Sequence, residues 1–363
     1  MTAAQADAGT ASGDRERLLA RLRAAGVDDA EIERAAAEER LPTLAVELAL
    51  GGAGRHSLSH VAREAGLAPK FLRELMQAVG RPNPGRGERI FTDEDIETAR
   101  VIKRFVDAGL PRRELLEVGR VVGQGMSHTS EAVRHMVGNA LLQPGDSEYT
   151  VGLRFAQAAD ELAPLVPTLL DHQFRAHLRD GMRRELVSES ERELGRLAGT
   201  RDVAIAFADL VGYTRLGEQL PAEDLGRIAG RFADLAVASV KRPASLIKTI
   251  GDGAMFASPE VPALIATLQT LVECVAQEGE HFPEVRVGVA HGPATTRGGD
   301  WFGAPVNVAS RVTEIARPGR ILATEDVRDL APDEPWHRRR RRASLKGVDG
   351  RVRLFSLDAE DGG

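Results

Sequence analysis

The sequence predicts an α+β protein of two domains. An all-α domain containing a helix-turn-helix-like unit comes first, and a ferredoxin-like β-α-β-β-α-β domain follows. Three observations predict this. The chain has 363 residues, more than one domain ordinarily uses. Its first half is rich in Ala, Leu, Glu and Arg, and aromatic residues make up only 4% of the whole, which favours helix. After Thr200 the pattern changes to short apolar runs alternating with amphipathic stretches. The resulting boundaries are a disordered tail over 1–13, a helical domain over 14–185, a helical linker over 186–199 and the α+β domain over 200–363.

Residues 1–13 are rich in Ala, Gly, Ser and Thr, hence the expected disorder. From Asp14 to about Gly51 the pattern is helical. Leu18, Leu19 and Leu22 share a face, Gly26 stops the run, and Asp28 or Asp29 can cap a second helix from Ala30. The stretch from Ser57 to Met76 has helix-turn-helix form, with Ser57 or Ser59 as cap, Gly66 at the turn and Pro69 early in the second helix. With the loop from Pro82 to Gly87 and a cap at Thr92–Asp95, it resembles the layout of MerR-like DNA-binding domains. Between 57 and 87, however, five cations (Arg63, Lys70, Arg73, Arg81, Arg86) stand against Glu64 and Glu74. A surplus of three is a weak electrostatic footprint, so a protein scaffold is expected and no stable nucleic-acid partner.

Helix continues from Asp95 to Val122 with a break at Gly109–Pro111, and again from Thr150 to Arg184 with interruptions at Pro164 and Pro167. Ser188–Leu197 looks like a charged connecting helix in which Ser190 and Glu193 can form a capping box. Six of the nine histidines (His56, His60, His128, His135, His172, His177) precede it, which allows a pH-responsive regulatory domain. None of these histidines has metal-site spacing. The net charge of −6 gives no general reason to expect binding to nucleic acid or anionic membrane. The single cysteine, Cys274, excludes an intramolecular disulfide and sits in an apolar helical run. The start of the chain lacks a signal-peptide pattern, and no run of about 18 apolar residues exists to span a membrane. A cytoplasmic protein is the expectation.

In the second half, strands are expected at Val203–Ala208, Ser245–Ile250, Ala254–Ala257, Val285–Ala290, Arg320–Thr324 and Arg351–Leu357. Helices are expected at Pro221–Val240, Pro262–Gln277 and Pro305–Ile315, packed on one face of an antiparallel sheet. The first strand ends in Asp209 and turns through Leu210-Val-Gly212-Tyr213-Thr214 into a helix. A second acid, Asp252, lies in the hairpin signal Gly251-Asp252-Gly253. Two strand-end carboxylates suit hard cations such as Mg²⁺ carried by a nucleotide triphosphate. The helix start after Asp209 can donate amides to phosphates, and Gly212 permits close approach. Lys248 and Asp300 offer an ammonium and a carboxylate, the complement of adenine N1 and its 6-amino group. Asn307 and Arg311, four apart, share a helical face.

These three stretches, Ile205–Thr214, Leu246–Phe256 and Asp300–Arg311, agree in order and spacing with one family. The chain resembles the class III nucleotidyl cyclases over about residues 199–358. That resemblance implies formation of 3′,5′-cyclic AMP and pyrophosphate from ATP, with two Mg²⁺ or Mn²⁺ ions in each active site. It makes Asp209, Asp252 and the Leu210 carbonyl the metal ligands. It places Gly212, Tyr213 and Thr214 at the phosphates, and it makes Lys248 and Asp300 the base-specifying pair of the ATP type. Asn307 then positions the ribose, and Arg311 stabilises charge developing at the α-phosphate. It also implies a homodimer whose sites take the metal acids from one subunit and the remaining groups from its partner. The domain order resembles actinobacterial adenylate cyclases in which the N-terminal half restrains the catalytic dimer and responds to pH.

Two alternatives keep the cyclase fold: a guanylate cyclase, and a nucleotide-sensing helix-turn-helix regulator without cyclase activity. Gly298-Gly-Asp-Trp-Phe302 superficially matches a diguanylate cyclase signature, but it leads into Pro-Val-Asn and a helix instead of a metal-binding hairpin. The basic run Arg338–Arg342 reads as a solvated strand edge, with contact to triphosphate or to an acidic partner as other uses. Lys346, before a turn, sits where some members of the family carry a phosphate-contacting lysine.

Overall fold

Residues 3–52, 54–85, 87–185, 200–279, 281–338, 343–347 and 351–358 are described in the computed structural model, and the chain divides into two compact units, Met1–Ser188 and Glu189–Gly363. The helical linker, with Ser190 and Glu193, lies outside the described residues, as do Arg86 and 339–342 of the basic run.

The N-terminal unit begins with α1 (Ala3–Ala24), α2 (Asp29–Ala37) and α3 (Leu41–Ala49). The tail expected to be disordered is therefore helical from Ala3. Alanines at 3, 4, 6, 8 and 11 carry the highest helix propensity of any residue and outweigh Gly9 and Gly13. Leu18 and Leu22 are fully buried with Leu41, Leu44 and Ala156, the last from α8 (Glu148–Leu162). Asp14, buried beside this cluster, is held below the ordinary carboxylate range by the Thr150 hydroxyl, against the opposing effect of burial. Arg17 lowers it further. Asp28 is the residue that caps α2, accepting from the Glu31 amide at 2.7 Å.

The helix-turn-helix-like unit is α4 (Leu58–Ala65) and α5 (Pro69–Ala78), framed by a two-stranded ribbon of β1 (His56–Ser57) and β2 (Arg89–Phe91). Ser57 caps α4, and Gly66 ends it at φ 66°, a conformation that favours glycine. Thr92 and Asp95 form a capping box at the start of α6 (Asp93–Asp107). Three of the cations noted in the sequence are drawn into ion pairs: Arg81 with Asp95, Arg63 with Glu64 and Lys70 with Glu74. The long α7 (Arg112–Leu141) crosses the end of α5 so closely that a Cβ on Gly123 would fall 2.5 Å from the Val79 backbone. A short 3-10 turn (Ala163–Leu165) leads into α9 (Val166–Glu185), with Pro167 in its first turn.

The C-terminal unit opens with β3 (Arg201–Leu210), a one-turn α10 (Tyr213–Leu216) and α11 (Ala222–Ala238). The hairpin of β4 (Ser245–Ile250) and β5 (Gly253–Ser258) follows, then α12 (Val261–Ala276) and β6 (Val285–Arg297). These strands lie in the order β4-β5-β3-β6, all antiparallel, which is the ferredoxin-like arrangement. β7 (Asp300–Gly303) folds back on the end of β6 and leads directly into α13 (Ala304–Ile315). β8 (Arg320–Thr324), β12 (Leu354–Asp358) and β9 (His337–Arg338) extend the sheet beyond β6, α14 (Glu325–Leu330) follows β8, and β10 (Ala343–Ser344) pairs with β11 (Arg351–Val352).

Two expectations need correction. The sheet contains a parallel pairing, β6 with β8, because α13 carries the chain back across before β8 begins. Helices also cover both faces, not one. Along β3 the even residues Ala204, Ala206, Ala208 and Leu210 pack with α11 and α12 around Phe232, Leu264 and Leu268. The odd residues Val203 and Ile205 meet Ala309 of α13 on the other face. The run Val203–Ala208 is apolar at every position and is covered on both faces. Cys274 is only half-buried, at the margin of the larger core. Among the described residues no helix is long and apolar enough to cross a membrane.

Candidate active site

Antiparallel pairing of β3 with β5 places Asp209 opposite Gly253, one residue from Asp252. The Leu210 amide donates to the Asp252 carbonyl at 3.1 Å, so the two acids sit at one end of the sheet. Burial pushes the Asp252 carboxyl above the ordinary carboxylate range, and the Asp209 charge adds to that rise, against smaller lowering effects from a backbone hydrogen bond and Arg286. A bound cation would relieve both raising effects. Among the described residues no group of three or more His, Cys, Asp or Glu is placed to hold a metal. Two carboxylates alone leave most coordination positions to substrate and water, the habit of Mg²⁺, so the donor set fits a nucleotide-borne divalent ion.

The turn after Asp209 is built on glycine. Gly212 has φ 76° and caps the four-residue α10. The Val211 amide is taken by the Glu284 carbonyl at 2.8 Å, whereas the first-turn amides of α10 have no helical partner. The Leu210 side chain is part of the core, which leaves its backbone for any role at the site. Tyr213 is anchored by its hydroxyl, which donates to the Leu225 carbonyl at 2.9 Å, so its side chain serves packing. Thr214 is exposed.

Lys248 of β4 and Asp300 of β7 form an ion pair although their strands are not neighbours in the sheet. The Asp300 Oδ1 also accepts from the Trp301 amide at 2.9 Å, which fixes the carboxylate. Asn307 is exposed on α13, and Arg311 is paired with Glu314 one turn further on. α13 is set against the sheet by Thr313, whose hydroxyl donates to the Phe207 carbonyl at 3.2 Å. Among the described residues no hydrogen bond or ion pair joins Asp209 or Asp252 to Lys248, Asp300, Asn307 or Arg311. The acids meet through the β3–β5 backbone, and Arg286 links Asp209 to α13 by donating also to the Glu314 carbonyl.

Arg286 is the residue that sequence reading missed. It stands on β6 opposite Asp209, and its Nε (2.9 Å) and Nη2 (2.5 Å) both donate to Asp209 Oδ2. An arginine inside an otherwise apolar strand, Val285-Arg-Val-Gly-Val289, was the available signal. A separate cavity of about 510 Å³ lies beside the start of α13, lined by His291, Pro305, Thr324, Arg351 and Arg353 among others, and contains none of the candidate residues.

Comparison with known proteins agrees with both units. Residues 5–182 match the family model of the adenylate cyclase regulatory domain, and residues 197–359 match that of the adenylate and guanylate cyclase catalytic domain. The pH-sensitive adenylate cyclase MT1302 of Mycobacterium tuberculosis is 38% identical over 358 residues, covering 96% of this chain and 89% of the relative. Adenylate cyclases of Streptomyces coelicolor and Streptomyces griseus are 31% and 30% identical, each over 76% of this chain and over 71% and 68% of their own lengths. The matched catalytic family takes nucleotide substrates and generally uses divalent metal ions. The chain thus belongs to the class III adenylate cyclase family, with a regulatory domain ahead of its catalytic domain.

Proposed function

We propose that this chain converts ATP to 3′,5′-cyclic AMP and pyrophosphate as a homodimer with shared active sites, under control of its N-terminal unit. The observation that carries the reading is the meeting of Asp209 and Asp252 at one sheet end, with no direct bond to Asn307 or Arg311 among the described residues. One chain offers two half-sites, and a twofold dimer completes both. In the N-terminal unit Met136, Leu169 and Phe174 are 61%, 65% and 66% exposed, apolar surface of the kind that marks a protein interface.

In the reaction the ribose 3′-oxygen bonds to the α-phosphorus, the bond to pyrophosphate breaks, and the hydroxyl proton leaves to solvent. Two Mg²⁺ or Mn²⁺ ions held by Asp209, Asp252 and the Leu210 carbonyl would acidify that hydroxyl and neutralise charge on the phosphates. The amides of Gly212, Tyr213 and Thr214 donate to the phosphates. Lys248 donates to adenine N1, and Asp300 accepts from the 6-amino group. Asn307 orients the ribose, and Arg311 offers a fixed charge and forked donors to the α-phosphate as charge develops there.

Regulation by pH is supported by the similarity to the pH-sensitive adenylate cyclase MT1302 and by the histidines of the N-terminal unit. His56 and His60 stack with ring centroids 4.6 Å apart, and His56 Nε2 lies 2.7 Å from Asp93 Oδ1. The test is product formation by the full chain with ATP or GTP, from about pH 5.5 to about 8. Cyclic AMP from ATP, with a pH response altered by His56→Ala and His60→Ala, is the expected result. Preference for GTP would overturn the substrate assignment, and an unchanged pH profile in both variants would remove this histidine pair as the sensor.

A further inference from the structure

We infer that Arg286 is a resident cation on Asp209 which opposes a divalent ion there, so that free metal binds poorly and metal enters with the nucleotide. The inference rests on Asp209 as a metal ligand and deepens that reading. Arg286 and Asp209 are directly opposite in register on β6 and β3, and two donors of the guanidinium converge on the single oxygen Oδ2. Its third donor, Nη1, points away to the Glu314 carbonyl at the C-terminal end of α13, at 3.1 Å. The guanidinium is thus gripped from two sides and is only 30% exposed, so it belongs to the scaffold of the site.

Arginine keeps its charge at any pH the protein meets, and its planar fork is preorganised for a carboxylate. A divalent ion coordinated to Asp209 would stand within a few ångströms of that fixed positive charge. At such range the repulsion of like charges in a partly buried site rivals the attraction that one shared carboxylate supplies. A metal arriving on a triphosphate is different, because the phosphates have already neutralised it. The Arg286–Asp209 pair therefore acts as an order-of-entry device.

The test is Mn²⁺ binding to the full-length chain by electron paramagnetic resonance, without nucleotide and then with a non-cyclisable ATP analogue. Wild type is expected to bind Mn²⁺ at least about tenfold more tightly with the analogue than without it. Without nucleotide, Arg286→Gln is expected to bind at least about tenfold more tightly than wild type, and Arg286→Lys, which keeps the charge, to stay within about threefold. Equal or weaker Mn²⁺ binding by a folded Arg286→Gln variant overturns the inference. So does wild type that binds free Mn²⁺ as tightly without nucleotide as with it, a result that needs no variant to fold. The double variant Asp209→Ala/Arg286→Gln separates the two levels. If it keeps the tightened binding, Asp209 is not the ligand and the metal-site reading fails with the inference. If Asp209→Ala alone abolishes binding with the analogue and Arg286→Gln changes nothing, the metal site stands and only the order of entry is lost.

Discussion

At the scale of single residues, Asp252 couples chemistry to stability through one carboxyl. Its folded-state pKa is raised, first by burial and then by Asp209, so the fold prefers it protonated. The sign follows by linkage: the group's contribution to stability is full below its unfolded value, about 3.9, and is lost as pH rises through the higher folded value. At neutral pH the ionised carboxylate therefore strains the metal-free fold. Asp252→Asn should melt at a higher temperature than wild type at pH 7 in chelator, with the difference shrinking toward acid pH, while cyclase activity is lost. A lower melting temperature at neutral pH would show that the carboxylate is stabilised by partners instead. Asp209, Asp252, Lys248 and Asp300 could be singled out as candidates from the sequence because each residue type suggests its chemistry. Arg286 was not, because its meaning lies in the cross-strand register with Asp209, and a single sequence carries no register.

At the scale of elements, α13 carries Asn307 and Arg311, and Gly288 on β6 sets how closely that helix packs on the sheet. A Cβ there would fall 2.2 Å from the Thr313 amide nitrogen and 2.6 Å from the Ala309 carbonyl oxygen. Both are backbone atoms, so the helix would have to lift. Gly288→Ala is expected to cost about 1–3 kcal/mol in stability. It should also lower kcat well beyond any change in melting, because Asn307 and Arg311 ride on α13. Gly226 in α11 has nothing within 4 Å of its would-be Cβ, so Gly226→Ala is the control, expected to stabilise by about 0.5–1 kcal/mol. Wild-type turnover in Gly288→Ala would show that α13 tolerates displacement. The elements themselves were mostly legible: β4 and β8 have the expected limits, and α11, α12 and α13 differ by a residue or two at their ends. The face each helix covers was harder to read. A strand apolar at every position, such as Val203–Ala208, shows no alternation from which to choose a side. The helical start of α1 was missed for a simpler reason, a reading of small residues as loop formers when most of them are alanine.

At the scale of the whole molecule, two units with separate cores meet the demands of a regulated enzyme in different ways. The catalytic unit carries its acids at one sheet end and Asn307 and Arg311 on α13. The regulatory unit is helical, with apolar side chains left on α7 and α9. Division of the site between subunits is the central claim, and mixing two inactive variants tests it most directly. Asp209→Ala and Arg311→Ala full-length chains are each expected to be silent with ATP. Co-refolded or subunit-exchanged, they should recover about a quarter of wild-type cyclic AMP formation, since half of the dimers are mixed and each of those holds one intact site. A mixture as silent as its components, beside an active wild type and with subunit exchange demonstrated, would contradict the shared site and place all of the chemistry within one chain.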